Sequence, residues 1–176
     1  MKQNKYSLLN ILIQRFASTK SGAWFGAQFL HHSDRLALLV TGGHKTITAV
    51  ISGLPIVILT TTGAKSGMPR TIPLVRIPDD RSATRFALIA SNWGQHSNPA
   101  WFYNLKACPQ ALCNIDGIEG IYVGSEAEGE EYDRLWARAA ELYFAFDLYK
   151  LHAGNRRIPV MIMSPIHSKK ETAVGE

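Results

Sequence analysis

Cysteine is nearly absent from the chain: Cys108 and Cys113 are the only two. That is too few for the disulfide framework of a small secreted domain, and a reducing cytosol is the simple reading. No His or Cys pair joins them at zinc spacing. His31 and His32 are adjacent and so face different ways on a helix; no metal site is expected. Both cysteines read as small buried residues. The usual catalytic signatures are also missing. There is no G-x-S-x-G, and none of the six histidines sits beside a plausible serine or cysteine nucleophile, which excludes a hydrolytic triad. Neither the P-loop order nor a Rossmann G-x-G-x-x-G opening a helix occurs. No run approaches about 18 consecutive apolar residues, so no transmembrane helix is expected. The apolar run after Lys5 is broken by Asn10, Gln14 and Arg15 and is followed by no small-residue cleavage pattern, so neither is a signal peptide.

Most of the chain also lacks a charge imbalance. The net charge is +5, and residues 1–50 hold six lysines and arginines against Asp34 alone, while the remainder carries thirteen charges of each sign. This argues against a nucleic-acid groove across the domain. It leaves a membrane surface or an acidic partner open to the first segment. Residues 4–18 read as a basic amphipathic helix with Leu9, Leu12, Ile13 and Phe16 on one face. Such a helix can cap the core or lie on an anionic bilayer. A second helical stretch runs over 23–40 and stops at Thr41-Gly42-Gly43.

What is abundant is β-pattern. With 176 residues, 46% of them hydrophobic, one domain with one substantial core is expected. Strands are expected near 47–51, 55–62, 71–77, 85–91, 111–116, 121–126 and 160–163. Pro78 to Ser82 reads as a turn by composition, and 117–120 as the turn of a hairpin. Asn98 and Pro99 read as the N-cap and first residue of a short helix that Pro109 ends. Residues 130–146 form the clearest helix. Tyr132, Leu135, Trp136, Ala139, Leu142, Tyr143 and Phe146 share one face, and Glu131, Asp133, Arg134, Arg138 and Glu141 lie mostly on the other. Antiparallel hairpins with few long crossovers give an α+β fold built on a barrel rather than a doubly wound sheet.

Two stretches can carry chemistry. In Gly63-Ala64-Lys65-Ser66-Gly67, between two strands, the glycines allow close backbone approach. Loop N–H groups can then point into one concavity, with Lys65, Ser66 and Arg70 adding charge and a hydroxyl: an anion cradle, or an ordinary hairpin turn. The second is a set of pocket-forming residues. Ser91-Asn92-Trp93-Gly94 ends a strand, Trp101, Phe102 and Tyr103 follow, and Tyr143, Phe146 and Tyr149 recur at three-residue spacing. Flat aromatics with phenol donors suit a planar ring ligand, or simply fill a core.

The segments TTTGAKSGMPRTIPL, ASNWGQHSNPAWFYNLKACP, EGEEYDRLWARAAELYFAFDLY and RRIPVMIMSP resemble, in unbroken order over residues 40–165, successive blocks of the deazaflavin-dependent nitroreductases, also described as coenzyme F420-dependent quinone reductases. The resemblance implies a split β-barrel of the flavin-reductase type, with six or seven mostly antiparallel strands and flanking helices. Residues 1–40 would form an N-terminal helical segment, 41–166 the cofactor-binding domain and 167–176 a tail. The implied activity is hydride transfer from reduced F420, an 8-hydroxy-5-deazaflavin, to a quinone or nitroaromatic acceptor. By position, Gly63, Lys65, Ser66, Gly67 and Arg70 would hold the cofactor's phosphate and oligoglutamate tail. Ser91, Asn92 and Trp93 would sit by the ring, with Ser91 also a catalytic candidate, and Trp101 would wall the groove. Tyr143, Phe146 and Tyr149 would line the substrate side, with Tyr143 as proton or hydrogen-bond donor. The chain departs from the family at Ala64, where a basic residue is common, and at Phe146, where the nitroreductase branch has a third tyrosine. Such chemistry needs neither metal nor nucleophile, because the cofactor carries the hydride. An apolar quinone acceptor suits the apolar first helix. The expected location is cytoplasmic, with membrane contact through residues 1–20. The alternatives are an FMN-using reductase and a non-catalytic module binding a fatty acyl chain or the cofactor in the same groove.

Overall fold

The computed structural model describes residues 53–166. The expected strand over 47–51, the helices over 4–18 and 23–40, the membrane-contact segment 1–20 and the tail 167–176 lie outside the described residues. In chain order the elements are β1 (Ile56–Thr62), β2 (Pro69–Val75), β3 (Ile77–Pro78), β4 (Phe86–Ile89), a 3₁₀ turn (Asn92–Gly94), α1 (Ala100–Ala107), β5 (Gln110–Ile115), β6 (Ile118–Glu126), α2 (Gly129–Leu142), α3 (Ala145–His152) and β7 (Val160–Pro165). The strands form one sheet in the order β2-β1-β5-β6-β7-β4-β3, and every neighbouring pair is antiparallel. The sheet curls until β2 returns against β4, the half-barrel expected of a split-barrel fold.

The pleat sorts the side chains onto two faces, because successive residues of a strand point oppositely. Val57 and Leu59 of β1, Phe86 and Leu88 of β4, Ala111 and Cys113 of β5, and Met161 and Met163 of β7 meet Trp101, Phe102 and Leu105 of α1. The alternate residues Ala87, Ile89, Val160 and Ile162 pack against α2 and α3. Strand β4 is therefore buried throughout. This explains its continuous apolar run, FALI, in a sheet whose edge strand β2 is far more exposed.

Several boundaries differ from expectation: the strand expected over 71–77 begins at Pro69 and is interrupted at Arg76, so that Ile77–Pro78 is a separate strand. The β5–β6 hairpin turns at Asp116–Gly117, not over 117–120, so β6 starts at Ile118 and pairs with Ile115. Both turn residues have positive φ, 53° and 89°, the two-residue type I′ geometry that matches strand twist. The Asn114 carboxamide accepts the Gly117 N–H at 3.0 Å. At α1, Pro99 rather than Asn98 is the N-cap, without a side-chain cap bond; Asn98 is recruited elsewhere. The long helix ends at Leu142, not Phe146. Tyr143 is extended (φ −146°, ψ 99°), and a separate helix, α3, follows. On one continuous helix Tyr149 would lie about 120° around the axis from Tyr143. The break lets both rings enter one cluster.

A charged group fastens α2 to the β3–β4 turn. The Asp79 carboxylate, only 1% exposed, receives Arg134 at 2.8 Å and lies 3.5 Å from Arg85. Arg85 also bonds Glu131 at 2.7 Å, Arg134 reaches Asp80, and Arg138 donates to the Pro78 carbonyl at 3.2 Å. Burial alone would raise the Asp79 pKa. The Arg81 N–H and the Arg134 and Arg85 guanidiniums outweigh it and hold the carboxyl below its usual range. The turn over 78–82 is thus an anchor for the helix that leads to Tyr143. Among the described residues no helix is long and apolar enough to cross a membrane.

Candidate functional site

The loop between β1 and β2 closes on itself. Gly63 N–H donates to Met68 O at 2.9 Å, Gly67 and Ser66 N–H both donate to Gly63 O, and Met68 N–H donates to the Ser66 hydroxyl. A Cβ on Gly63 would stand 2.7 Å from Ser66 Oγ and 3.1 Å from Met68 O, so any larger residue there would crowd this compact closure. The Ala64 N–H is taken by the Asn104 carboxamide at 3.0 Å, whose NH2 in turn donates to Thr61 Oγ1 at 3.0 Å. Asn104 is buried on α1 and so locks the loop to that helix. Most loop N–H groups are therefore spent on the loop's own shape. What the loop offers an anion is charge: Lys65 and Arg70 are both exposed, and neither is in an ion pair among the described residues.

The second element follows β4. Ser91 leads into Asn92, Trp93 and Gly94, with φ of 47°, 57° and 76°. The first two are non-glycine residues in the left-handed region, which costs about 1–3 kcal/mol each and persists only where surroundings impose it. Here they do. Arg156, in the segment before β7, donates through Nε to Gln95 O at 2.9 Å, through Nη2 to Ser91 O at 2.7 Å, and through Nη1 to Ala90 O at 3.3 Å and to Asn98 Oδ1. Burial pulls the Arg156 pKa below its ordinary value, opposed by Tyr103. Asn92 ties the turn further by donating to Ser97 O at 2.9 Å. Gly94 meets α3 closely: a Cβ there would lie 2.7 Å from His152 Cβ and 2.9 Å from Tyr149 O.

This close approach sets Trp93 against Tyr149, with ring centroids 5.9 Å apart and edge to face. Tyr149 is in turn 6.3 Å from both Tyr143 and Phe146, and Tyr143 and Phe146 are 5.3 Å apart, all edge to face. The Tyr143 and Tyr149 hydroxyls face each other at 3.4 Å. Burial raises both phenol pKa values. For Tyr143 the Tyr149 hydrogen bond opposes the rise; for Tyr149 the neighbouring Tyr143 adds to it. Both phenols are therefore protonated at neutral pH and stand as hydrogen-bond donors. The exposed ring of Phe144 lies 6.0 Å from Tyr143, at the outer margin of the cluster.

Of the residues singled out in the sequence, Trp93, Tyr143, Phe146 and Tyr149 come together on one face, with Ser91 and Asn92 in the adjoining turn. Gly63, Lys65, Ser66, Gly67 and Arg70 form a separate loop fastened to α1. Trp101 is 4% exposed and packs in the core on the opposite face of the sheet. It backs the sheet instead of meeting the aromatic cluster. Sequence reasoning missed Asn104 and Arg156. Asn104 left a trace, as a polar residue between buried Phe102 and Leu105. Arg156 left none, since its acceptors are mostly backbone carbonyls 61 to 66 residues away. Among the described residues no cluster of His, Cys, Asp or Glu could hold a metal ion.

Comparison with known proteins gives a consistent result. A family model described as F420H(2)-dependent quinone reductase matches residues 21–165. An F420H(2)-dependent quinone reductase of Mycobacterium tuberculosis is 31% identical over 117 residues, which cover 63% of this chain and 72% of the relative. A solved structure of an F420-H2 dependent reductase (FDR-A) superposes with a TM-score of 0.56 at 36% identity, covering 62% of this chain and 94% of that one. Another, described as a domain-swapped dimer, gives 0.58 at 32% identity, covering 74% and 95%.

Proposed function

The chain belongs to the F420H(2)-dependent quinone reductase family, and we propose that its two candidate elements divide the work of one oxidoreductase reaction. Its cofactor is coenzyme F420, which when bound in reduced form supplies the hydride; a quinone accepts it. The residues present fit an anionic deazaflavin. Lys65 and Arg70 are exposed cations without ion-pair partners among the described residues, suited to a phosphate and carboxylate-rich tail. The Ser91–Trp93 turn offers a hydroxyl, an amide and a flat ring to the planar part.

The observation that carries the reading is the contact of Trp93 with Tyr149. It joins the turn assigned to the cofactor ring to the phenols assigned to the substrate, so ring and acceptor would meet along one aromatic wall. Negative charge develops on the acceptor oxygen as it is reduced. A protonated Tyr143 hydroxyl aimed there stabilises the transition state more than the ground state. Phe146 and Tyr149 shape the acceptor's side of the wall, and Tyr149 also holds the Tyr143 hydroxyl in place.

The same reading puts the enzyme in the cytoplasm, with residues 1–20 touching the membrane surface, where lipid-soluble quinones are found. The net charge gathered in the first fifty residues supports this. A side-by-side titration of the full-length protein with F420, FMN and haem tests the cofactor assignment: F420 should bind most tightly. Preference for FMN, or binding of F420 without turnover of any quinone, would contradict the proposed reaction.

A further inference from the structure

The Arg156 side chain occupies a position that neither the aromatic cluster nor the cationic loop explains. Among the described residues it has no carboxylate partner. All four of its acceptors belong to residues 90, 91, 95 and 98. These acceptors bracket the three consecutive positive-φ residues, Asn92, Trp93 and Gly94. The local bonds, Gly94 N–H to Ser91 O and Gln95 N–H to Asn92 O at 3.0 Å and the Asn92 amide to Ser97 O at 2.9 Å, all lie within residues 91–97; they close the turn, but none ties it to the segment before β7. The guanidinium supplies what is missing, a rigid planar fork that reaches both ends of the turn at once. Lysine, whose donors share one nitrogen, cannot span those acceptors.

We infer that Arg156 is a positioning residue for the hydride transfer. It holds the 91–98 segment in its left-handed form, so that Ser91, Asn92 and Trp93 are set before the cofactor arrives. The inference rests on the proposed function, in which this turn receives the deazaflavin ring. Its energetic content is preorganisation. If loss of the fork lets the turn relax so that the competent form is one tenth of the population or less, the apparent Kd for F420 rises about tenfold or more.

Arg156→Lys in the full-length protein keeps the charge and removes the fork. In the cofactor-free protein, hydrogen exchange at the Gly94 and Gln95 amides should accelerate about tenfold or more while the β5–β6 ladder stays protected. The F420 Kd should rise by a similar factor. Lys65→Ala should raise the Kd without touching that exchange. Should Arg156→Lys not fold, Asn98→Ala removes one acceptor and should move both readings in the same direction by a smaller factor. Wild-type protection of both amides in Arg156→Lys would overturn the inference, as would faster exchange with an unchanged Kd, or no change in either reading for Asn98→Ala. If the wild-type protein itself does not bind F420, the proposed function falls together with the inference. If the wild type binds and the lysine variant binds equally well, only the inference falls.

Discussion

Replacing Tyr143 by Phe removes one hydroxyl and leaves the ring that packs 5.3 Å from Phe146. The hydroxyl faces Tyr149 at 3.4 Å, long for an O–H···O bond, so the direct contact contributes under about 1 kcal/mol. The larger effect falls on the partner. Tyr149 is 3% exposed, and its hydroxyl, left unpaired, costs about 1–3 kcal/mol. Tyr143→Phe should therefore lose about 1–2 kcal/mol of stability, and Tyr149→Phe a similar amount for the reciprocal reason. The double Phe variant leaves no orphaned hydroxyl and should recover most of the loss. Turnover should behave differently. If the Tyr143 hydroxyl donates to the acceptor oxygen, kcat falls about 10- to 100-fold, or roughly 1.4–2.7 kcal/mol, in the single variant, and the double variant does not recover it. Thermal denaturation and single-turnover oxidation of reduced F420 on the same three variants separate the two effects. Full turnover in Tyr143→Phe, with only stability lost, would refute the donor role. The pH dependence follows from the same burial. Both phenols have pKa values raised above the ordinary 10. The unfolded chain therefore ionises first, and stability is constant through neutral pH but falls above about pH 10. The double Phe variant should lack that part of the alkaline decline.

Changing Lys65 to Ala removes a charge-assisted contact of about 1.5–3 kcal/mol, so the F420 Kd should rise roughly 10- to 150-fold. An unchanged Kd would put the cofactor's tail elsewhere. Asp79→Asn breaks a buried pair with Arg134 and should cost about 3 kcal/mol by denaturant titration. Because the Asp79 pKa is depressed in the fold, its contribution is present above the unfolded value and lost as pH falls through the folded one. The Asn variant should therefore show a shallower acid decline. Full-length protein should co-sediment with anionic vesicles at low salt and be released by high salt, and deletion of residues 1–20 should abolish binding. Recovery in the supernatant at low salt would mean that the segment does not dock on membranes.

The strands were legible because burial follows the pleat, whereas the single core expected is divided by the sheet into two clusters, one on each face. Val57 and Leu59 alternate with half-buried residues in β1, and the hydrophobic pattern carries that alternation directly. The β5–β6 turn was misplaced by two residues because the four-residue reading passed over Asp116-Gly117, a pair whose shared left-handed preference closes the hairpin. The end of α2 was not legible at all. Tyr143 and Phe146 fit the helical period, and the break accompanies tertiary packing: both rings meet Tyr149, which meets Trp93, and Asp147 accepts the Trp136 indole N–H at 3.1 Å. The candidate site residues were singled out by type and by resemblance. The residues that hold them, Asn104 and Arg156, act through contacts 40 or more positions away, which no local pattern encodes. Trp101 shows the converse: an aromatic beside a candidate site in sequence can lie on the other face of the sheet.

This chain moves a hydride from reduced F420 to a quinone. The direct measurement mixes purified full-length protein, loaded anaerobically with reduced F420, with a quinone, and follows reappearance of the oxidised cofactor in a single turnover. It is then repeated with deuterium at the transferable position. Oxidation well above the protein-free rate, slowed by deuterium, is the predicted result. Oxidation no faster than without protein would mean that the chain does not catalyse this transfer.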